Sequence, residues 1–388
     1  MAIQLSKTFL FFTHHPKYIE RRPFVLAKLL SEKGYKIKMF VPCERIFSLP
    51  SRNVINENFC IYNSPVIFPG SLKHGVDPVD LLYRIYKGFA LEYDLIYAFD
   101  TRPTVILPSS LFKYIAKKKI VIDWTDWFGK GGTINERGSK LYKFLFEKIE
   151  TFFEEYFFRF ADGATVINPK LTDRLLKLRF KKKIYFFPLG CNSVTSLENS
   201  NKTKRELHLP EDLPILGCVG TLFQRDAELL FLSMEELRKK SNYKLLLIGQ
   251  NPLLKKYSLP NNIIYTGFIS KNDLIKYISA CDIMLMPLCV NISNNGRWPS
   301  KINDYISAEK PIISTKTYIV NELYSRHPFC RLADDNPEDF SQKIIELIND
   351  KNKQEILVSE CKKLKDGFLN WDKIVDNLEM EFLNKIIN

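Results

Sequence analysis

Residues 297–315, RWPSKINDYISAEKPIIST, hold a helix start, a base, a carboxylate and a buried strand within nineteen positions. Ser300 behind Pro299 reads as an N-cap, and Ile302, Tyr305, Ile306 and Ala308 share one face of a short helix. Pro311 ends it, and Ile312-Ile313 is a buried strand. A helix start presents unpaired N–H groups and the positive end of the dipole, so a phosphate fits at Ser300 and Lys301, with the Lys301 ammonium adding full charge. Asp304, one turn on, is placed to accept from two hydroxyls. A diphosphate with a vicinal diol describes a nucleotide-sugar. The same spacing also describes an i,i+3 surface pair of Lys301 and Asp304 worth about 0.2–0.5 kcal/mol, and spacing alone leaves both readings open.

Outward from this stretch the chain alternates strand and helix. Thr8 to Phe12 is an apolar run, Arg22 to Lys33 an amphipathic helix closed by Gly34, and Ile37 to Val41 a second strand, a βαβ unit that predicts a parallel sheet. No G-x-G-x-x-G follows the first strand, which argues against dinucleotide binding there. His14 and His15 fall in the loop after it, at the sheet edge where α/β sites form, although loop histidines are often incidental. Asp94 to Phe99 and Lys119 to Asp123 are further strands around the helical run Thr104 to Lys117. The loop that follows, Trp124-Thr125-Asp126-Trp127-Phe128-Gly129-Lys130-Gly131-Gly132, offers carboxylate, indole and flexible backbone suited to a sugar ring, or else a capping Asp beside core aromatics.

Leu141 to Phe160 is a long helix whose wide apolar arc reads as core packing, and its charges exclude a membrane span. Ala164 to Ile167 is a strand, 181–188 a basic approach to another, and the polar run Asn192 to Asp212 a linker. A second set then begins. Ile215 to Gly220 is a strand ending in glycine; Thr221 follows, and a helix runs from Asp226. Gly220 permits close backbone approach, and Arg225 is able to fork onto a diphosphate. Strands at Leu245 to Gly249, Ile263 to Gly267 and Ile283 to Met286 surround a helix at Lys271 to Ala280. Helices at Pro337 to Ile348, Lys351 to Leu364 and Trp371 to Ile387 complete the chain.

The segment 299–313 resembles the pattern P-S-K-hydrophobic-x-E-Y-hydrophobic-A-x-G-K-P-hydrophobic-hydrophobic of retaining glycosyltransferases of family 4. The resemblance extends over most of residues 90–388. It implies the GT-B fold: an α/β protein of two Rossmann-like domains whose parallel sheets face a central cleft. The first domain, 1–190, would take the acceptor and the second, 191–370, the nucleotide-sugar, with the helix 371–388 crossing back to the first. In the family the acidic residue before the Tyr, here Asp304, contacts the ribose hydroxyls; Gly296 stands where many members carry a glutamate facing the transferred sugar. Gly220 and Thr221 fall in the V-G-[RT] segment, and Gly267, Phe268 and Ile269 where backbone reads the nucleobase. Asp126 takes the acidic place of a strand-end segment, with Thr125 in its His place. The resemblance therefore implies Asp126, Arg225 and Lys301 as catalytic. It implies Gly220, Thr221, Arg225, Gly267, Phe268, Ile269, Ser300, Lys301 and Asp304 as donor contacts; Trp124, Asn295, Gly296 and Arg297 are candidates toward acceptor or sugar, as are His14 and His15 from their place at the sheet edge. The implied reaction transfers a sugar from the nucleotide-sugar, with retention and without metal or cofactor, to a glycan, lipid-linked or other hydroxyl acceptor in surface polysaccharide or glycoconjugate synthesis.

The 388 residues suit two domains, and 45% hydrophobic content suits packed cores. No apolar stretch approaches the ~20 residues of a span, and the N-terminus carries no convincing leader, so a cytoplasmic protein is expected. Eight scattered cysteines without a C-x-x-C pair predict buried thiols and no zinc site. Residues 1–185 hold 31 Lys and Arg against 18 Asp and Glu, and residues 186–388 hold 26 of each, so the whole +13 lies in the first half. Such a half faces something anionic, for instance the inner face of the cell membrane, or is merely solvated surface. Two rival classes are a nucleic-acid-binding protein, for which no recognition motif is present, and a sugar-nucleotide epimerase of the same fold. The sequence says nothing of oligomeric state.

Overall fold

A computed structural model describes residues 7–16, 21–68, 75–136, 140–192, 200–251 and 259–387. The chain divides into two compact units, Met1–Pro188 with Trp371–Asn388, and Leu189–Asn370.

The first unit is built on an eight-stranded sheet of β1 (Thr8–Phe12), β2 (Lys36–Pro42), β3 (Ser51–Asn56), β4 (Phe59–Ser64), β5 (Leu95–Phe99), β6 (Lys119–Trp124), β7 (Gly163–Val166) and β8 (Lys183–Phe186). Their order is β3-β4-β2-β1-β5-β6-β7-β8, parallel throughout except for the β3–β4 hairpin. Phe9 to Phe12 and Ile96 to Ala98 are wholly buried. Helices on both faces exclude water, and this is why these strands read as unbroken apolar runs. The second unit has six parallel strands, β9 (Ile215–Val219), β10 (Lys244–Ile248), β11 (Ile263–Tyr265), β12 (Ile283–Met286), β13 (Ile312–Thr315) and β14 (Arg331–Ala333), in the order β11-β10-β9-β12-β13-β14. Its core gathers Leu216, Leu230, Leu245, Leu285, Ile313 and Phe340.

Both sheets are doubly wound. Strand order reverses between β1 and β5 in the first and between β9 and β12 in the second. At such a reversal the connections leave toward opposite sides, opening a crevice at the carboxyl ends of the strands.

Three expectations are corrected, and several elements are added. The supposed linker carries the helix Ser200–Glu206, held because Lys204 Nζ is buried against Asp282 at 2.8 Å; residues 193–199 of that run lie outside the described residues. The C-terminal helix is interrupted by a π-turn, Glu379–Leu383, between Trp371–Leu378 and Asn384–Ile387. The hairpin β3–β4, the helices Pro78–Phe89 and Tyr318–Arg326 and the strand β14 add to the elements expected from the sequence. Lastly, the wide apolar arc of Leu141 to Phe160 is core only in part: Phe157 is buried, but on the helix Lys140–Tyr156 Leu141, Phe144, Leu145, Ile149 and Phe152 are exposed. The eight cysteines are free and buried.

Candidate functional site

In the second unit the polar groups converge on the β9/β12 reversal. β9 and β12 pair only at Ile283–Leu216 and Met284–Gly217. Beyond that rung the strands part, and the buried Tyr305 hydroxyl bridges them, accepting from Val219 N at 2.9 Å and donating to Leu285 O at 3.2 Å. The mouth so formed is lined by backbone that only glycine adopts easily. Gly220, Gly249 and Gly267, after β9, β10 and β11, have φ of 84°, 98° and 69°. A Cβ on Gly220 would lie 2.8 Å from Lys301 Cε, so the missing side chain is what lets the lysine cross the strand end. Lys301 Nζ then donates to Thr221 O at 3.0 Å, while Thr221 Oγ1 donates to Gln250 O at 2.9 Å. Burial holds the Lys301 ammonium below the usual lysine range, with the Cys218 thiol, Asp226 and Asp304 acting in the opposite sense.

Behind this mouth sits a group that sequence reasoning missed. Buried Asp226, on the first turn of the helix Gln224–Arg238, accepts from Cys289 N at 2.8 Å and Asn294 Nδ2 at 3.1 Å. Its second oxygen is 3.9 Å from Arg297, which also donates to Asn294 Oδ1 and lies 4.8 Å over the Phe223 ring. Desolvation pushes the Asp226 carboxyl up, and its hydrogen bonds and Arg297 pull it back. An acidic residue at a helix start reads as a cap from sequence; its partners lie 63 and 68 residues away, so no local signal reveals them.

Gly220, Thr221 and Lys301 are thus brought together, with Asp304 one turn along the helix Lys301–Ser307 and interacting electrostatically with the lysine. Arg297 joins them through Asp226. Arg225 is exposed on the same first helical turn as Asp226 and enters none of these bonds, although its charge reaches the Cys289 thiol. Gly267 follows β11, Phe268 is 80% exposed and Ile269 is half-buried. Ser300 is not the cap expected: its backbone is already helical and its side chain accepts no capping bond, because the turn begins a residue earlier with Ile302 N donating to Pro299 O. Asn295 and Gly296 serve the scaffold. Asn295 Oδ1 accepts from Tyr318 N at the start of the next helix, and Gly296 closes the short helix Ile292–Asn295.

In the first unit the corresponding edge collects His14, Asp100, Thr125 and Asp126. Asp100 follows β5 at φ 71°, and its Oδ1 accepts from Thr125 N at 3.2 Å and from the Thr125 hydroxyl. His14 Nδ1 lies 3.6 Å from its other oxygen, and the His14 and His15 rings sit 4.0 Å apart. Burial raises the Asp100 carboxyl to about 6 against the bonds from Thr125, with Asp123 adding to the rise. A carboxylate directly after a buried strand is a legible signal, and Asp100 stands one residue beyond the apolar run that ends at Phe99. Asp126 is half-buried in the loop beside Thr125. Trp124 is corrected: it is 1% exposed, donates from Nε1 to Glu154 at 3.0 Å and packs on Phe158, out of any ligand's reach.

Residues 199–364 match the family model of glycosyl transferases group 1. No curated protein matches the chain. Among solved structures, sucrose-phosphate synthase from Thermosynechococcus elongatus is similar at TM-score 0.74 and 14% identity, covering 98% of either chain. A glycosyltransferase from Rickettsia africae is similar at 0.68 and 14%, covering 99% of either. Anabaena HepE in complex with UDP and glucose is similar at 0.67 and 14%, covering 97% of this chain and 100% of its own. At such identities the likeness establishes the fold, an α/β protein of two parallel-sheet domains shared with GT-B glycosyltransferases. The family match lies within the second unit, over β9, the Gly220 that follows it and the helix Lys301–Ser307, and supports a group 1 glycosyltransferase.

Proposed function

We propose that this protein is a glycosyltransferase that moves a sugar from a nucleotide-sugar, with retention of configuration and without a metal, to a hydroxyl acceptor. The observation that carries the reading is the Lys301 ammonium laid across left-handed Gly220 at the β9/β12 reversal. A cation over glycine backbone at that crevice suits a diphosphate, and Asp304 on the same helix suits a ribose diol. The UDP held by the Anabaena relative is in keeping with a nucleotide donor.

The chemistry asked of the chain is electrostatic. As the glycosidic bond to the diphosphate breaks, negative charge grows on the leaving oxygen. Lys301, with Arg297 behind it and exposed Arg225 nearby in sequence, neutralises it, a role for fixed charge in a partly dehydrated site. Gly267, Phe268 and Ile269 are assigned to the base. The acceptor hydroxyl is assigned to the first unit, where Asp126, Asp100 and His14 offer proton acceptors. The acceptor is a glycan or lipid-linked glycan of surface polysaccharide or glycoconjugate synthesis.

A thermal-shift screen of UDP-, GDP-, ADP- and dTDP-sugars tests the donor assignment, and the anomeric configuration of the product, read by NMR, tests retention. A shift with no sugar-nucleotide sinks the proposal. Release of an altered sugar-nucleotide without any acceptor would instead identify an epimerase.

A further inference from the structure

The helix Lys140–Tyr156 buries two carboxylates and turns an apolar stripe outward. Glu154 accepts from Trp124 Nε1 and from Phe128 N and Gly129 N and pairs with Arg174 at 2.9 Å, while Glu150 pairs with Arg102 at 3.1 Å. Its outer side carries Leu141, Phe144, Leu145, Ile149 and Phe152, between 49% and 81% exposed, at the i, i+3, i+4, i+8, i+11 spacing of a single face. Five large apolar side chains on one exposed face are not the scattered singles of an ordinary surface.

The face does not stop at the helix. Phe152 stacks on Tyr156 at 4.7 Å, Tyr156 meets Phe160 at 5.5 Å, and Phe160 meets exposed Tyr114 at 5.4 Å. Alongside runs a pocket of about 490 Å³ lined by Phe152, Tyr156 and Phe180 and by the exposed cations Arg159, Arg179, Lys181 and Lys182. Glu155, which also lines it, is bonded to Arg174 at 2.6 Å. Exposed Lys148 lies within the apolar face itself, and exposed Lys117 follows Tyr114 and Ile115.

We propose that this face lies on an anionic phospholipid bilayer, with Leu141, Phe144, Leu145, Ile149 and Phe152 entering the headgroup–acyl boundary and the basic rim meeting lipid phosphates. The charge decides between occupants. A second copy seated on the same face would set Lys148, Arg159, Arg179, Lys181 and Lys182 against their own equivalents, whereas an anionic surface complements them. An apolar helix face edged with lysine and arginine is the composition of an interfacial helix. Among the described residues no helix is long and apolar enough to cross a membrane.

Co-sedimentation of the full chain with phosphatidylglycerol–phosphatidylcholine vesicles tests this, with no sugar donor present, so that its outcome is separate from that of the sugar-transfer reading. Binding is expected at low salt and in part at 0.15 M. Phe144→Ser and Ile149→Ser should each weaken partitioning about tenfold or more while leaving the melting temperature unchanged, because both side chains are exposed in the free protein. Lys181→Glu with Lys182→Glu should weaken it mainly at low salt. Failure to bind anionic vesicles at low salt overturns the inference, and so does binding that Phe144→Ser and Ile149→Ser leave intact. A dimer in sedimentation velocity that these substitutions dissociate, with no vesicle binding, would assign the face to a second copy instead.

Discussion

Lys301 reaches Thr221 only because Gly220 has no side chain and turns left-handed. The pair is therefore one device, and Asp304 lies one turn along the same helix. Lys301→Ala should weaken sugar-nucleotide binding by about ten- to a hundredfold, the worth of a charge-assisted bond of 1.5–3 kcal/mol, and Asp304→Ala by a similar factor. Calorimetry showing unchanged donor affinity in both would put the donor elsewhere. In the other unit Asp100 makes a pH prediction. Its carboxyl titrates near 6 in the folded protein and near 3.9 unfolded. Raised in the fold, it contributes stability that is complete below about pH 4 and lost as pH rises through 6. Asp100→Asn, which cannot ionise, should gain on the parent as pH rises from about 4 to about 6.5, by about 2–3 kcal/mol in all. A difference in melting temperature between the two proteins that stays flat over that range would show that Asp100 is not held in the raised state.

Among elements, the pair β9 and β12 is the one whose separation makes the site, and Tyr305 holds it. Removing the phenol oxygen leaves Val219 N–H and Leu285 C=O facing one another across the gap without a partner. Tyr305→Phe should cost about 1–3 kcal/mol of stability and raise KM for the donor, since Lys301 and Asp304 share the helix that the tyrosine anchors. Loss of stability with an unaltered KM would reduce Tyr305 to scaffold. The helix Lys140–Tyr156 marks how far periodicity carries an argument. Its apolar stripe is plain in the sequence, but a moment has no arrow toward the core. Glu150 and Glu154 turn it outward, because Arg102, Arg174 and the Trp124 indole are already waiting on the inner side.

For the molecule as a whole, the C-terminal segment completes the first unit although it follows the second in sequence. Phe382 and Leu383 are wholly buried, and Phe382 lies beside Gly163 of β7, where a Cβ would come within 2.7 Å of the ring. Lys119 donates to Ile386 O and Lys33 pairs with Asp376 and Glu379. Ending the chain at Asn370 should therefore melt the first unit at a lower temperature, by several degrees at least, while the second unit still binds the nucleotide. Two calorimetric transitions, of which truncation shifts only one, is the expected record. A single transition lost entirely would contradict it.

The β-α-β alternation, the two sets of strands, the helix behind Pro299 and the glycines at 220 and 267 were legible in the sequence, because each rests on local chemistry: apolar runs buried on both faces, a proline's fixed φ, a residue without Cβ. Asp100, Asp226, Asn294 and Tyr305 were not legible as a site. Their partners lie up to 86 residues away, and strand order alone brings them to the sheet edges. Tertiary structure also withdrew Trp124 from the site and turned an apolar helix face to the outside, because burial is decided by what the opposing elements present, and no segment carries that information about itself.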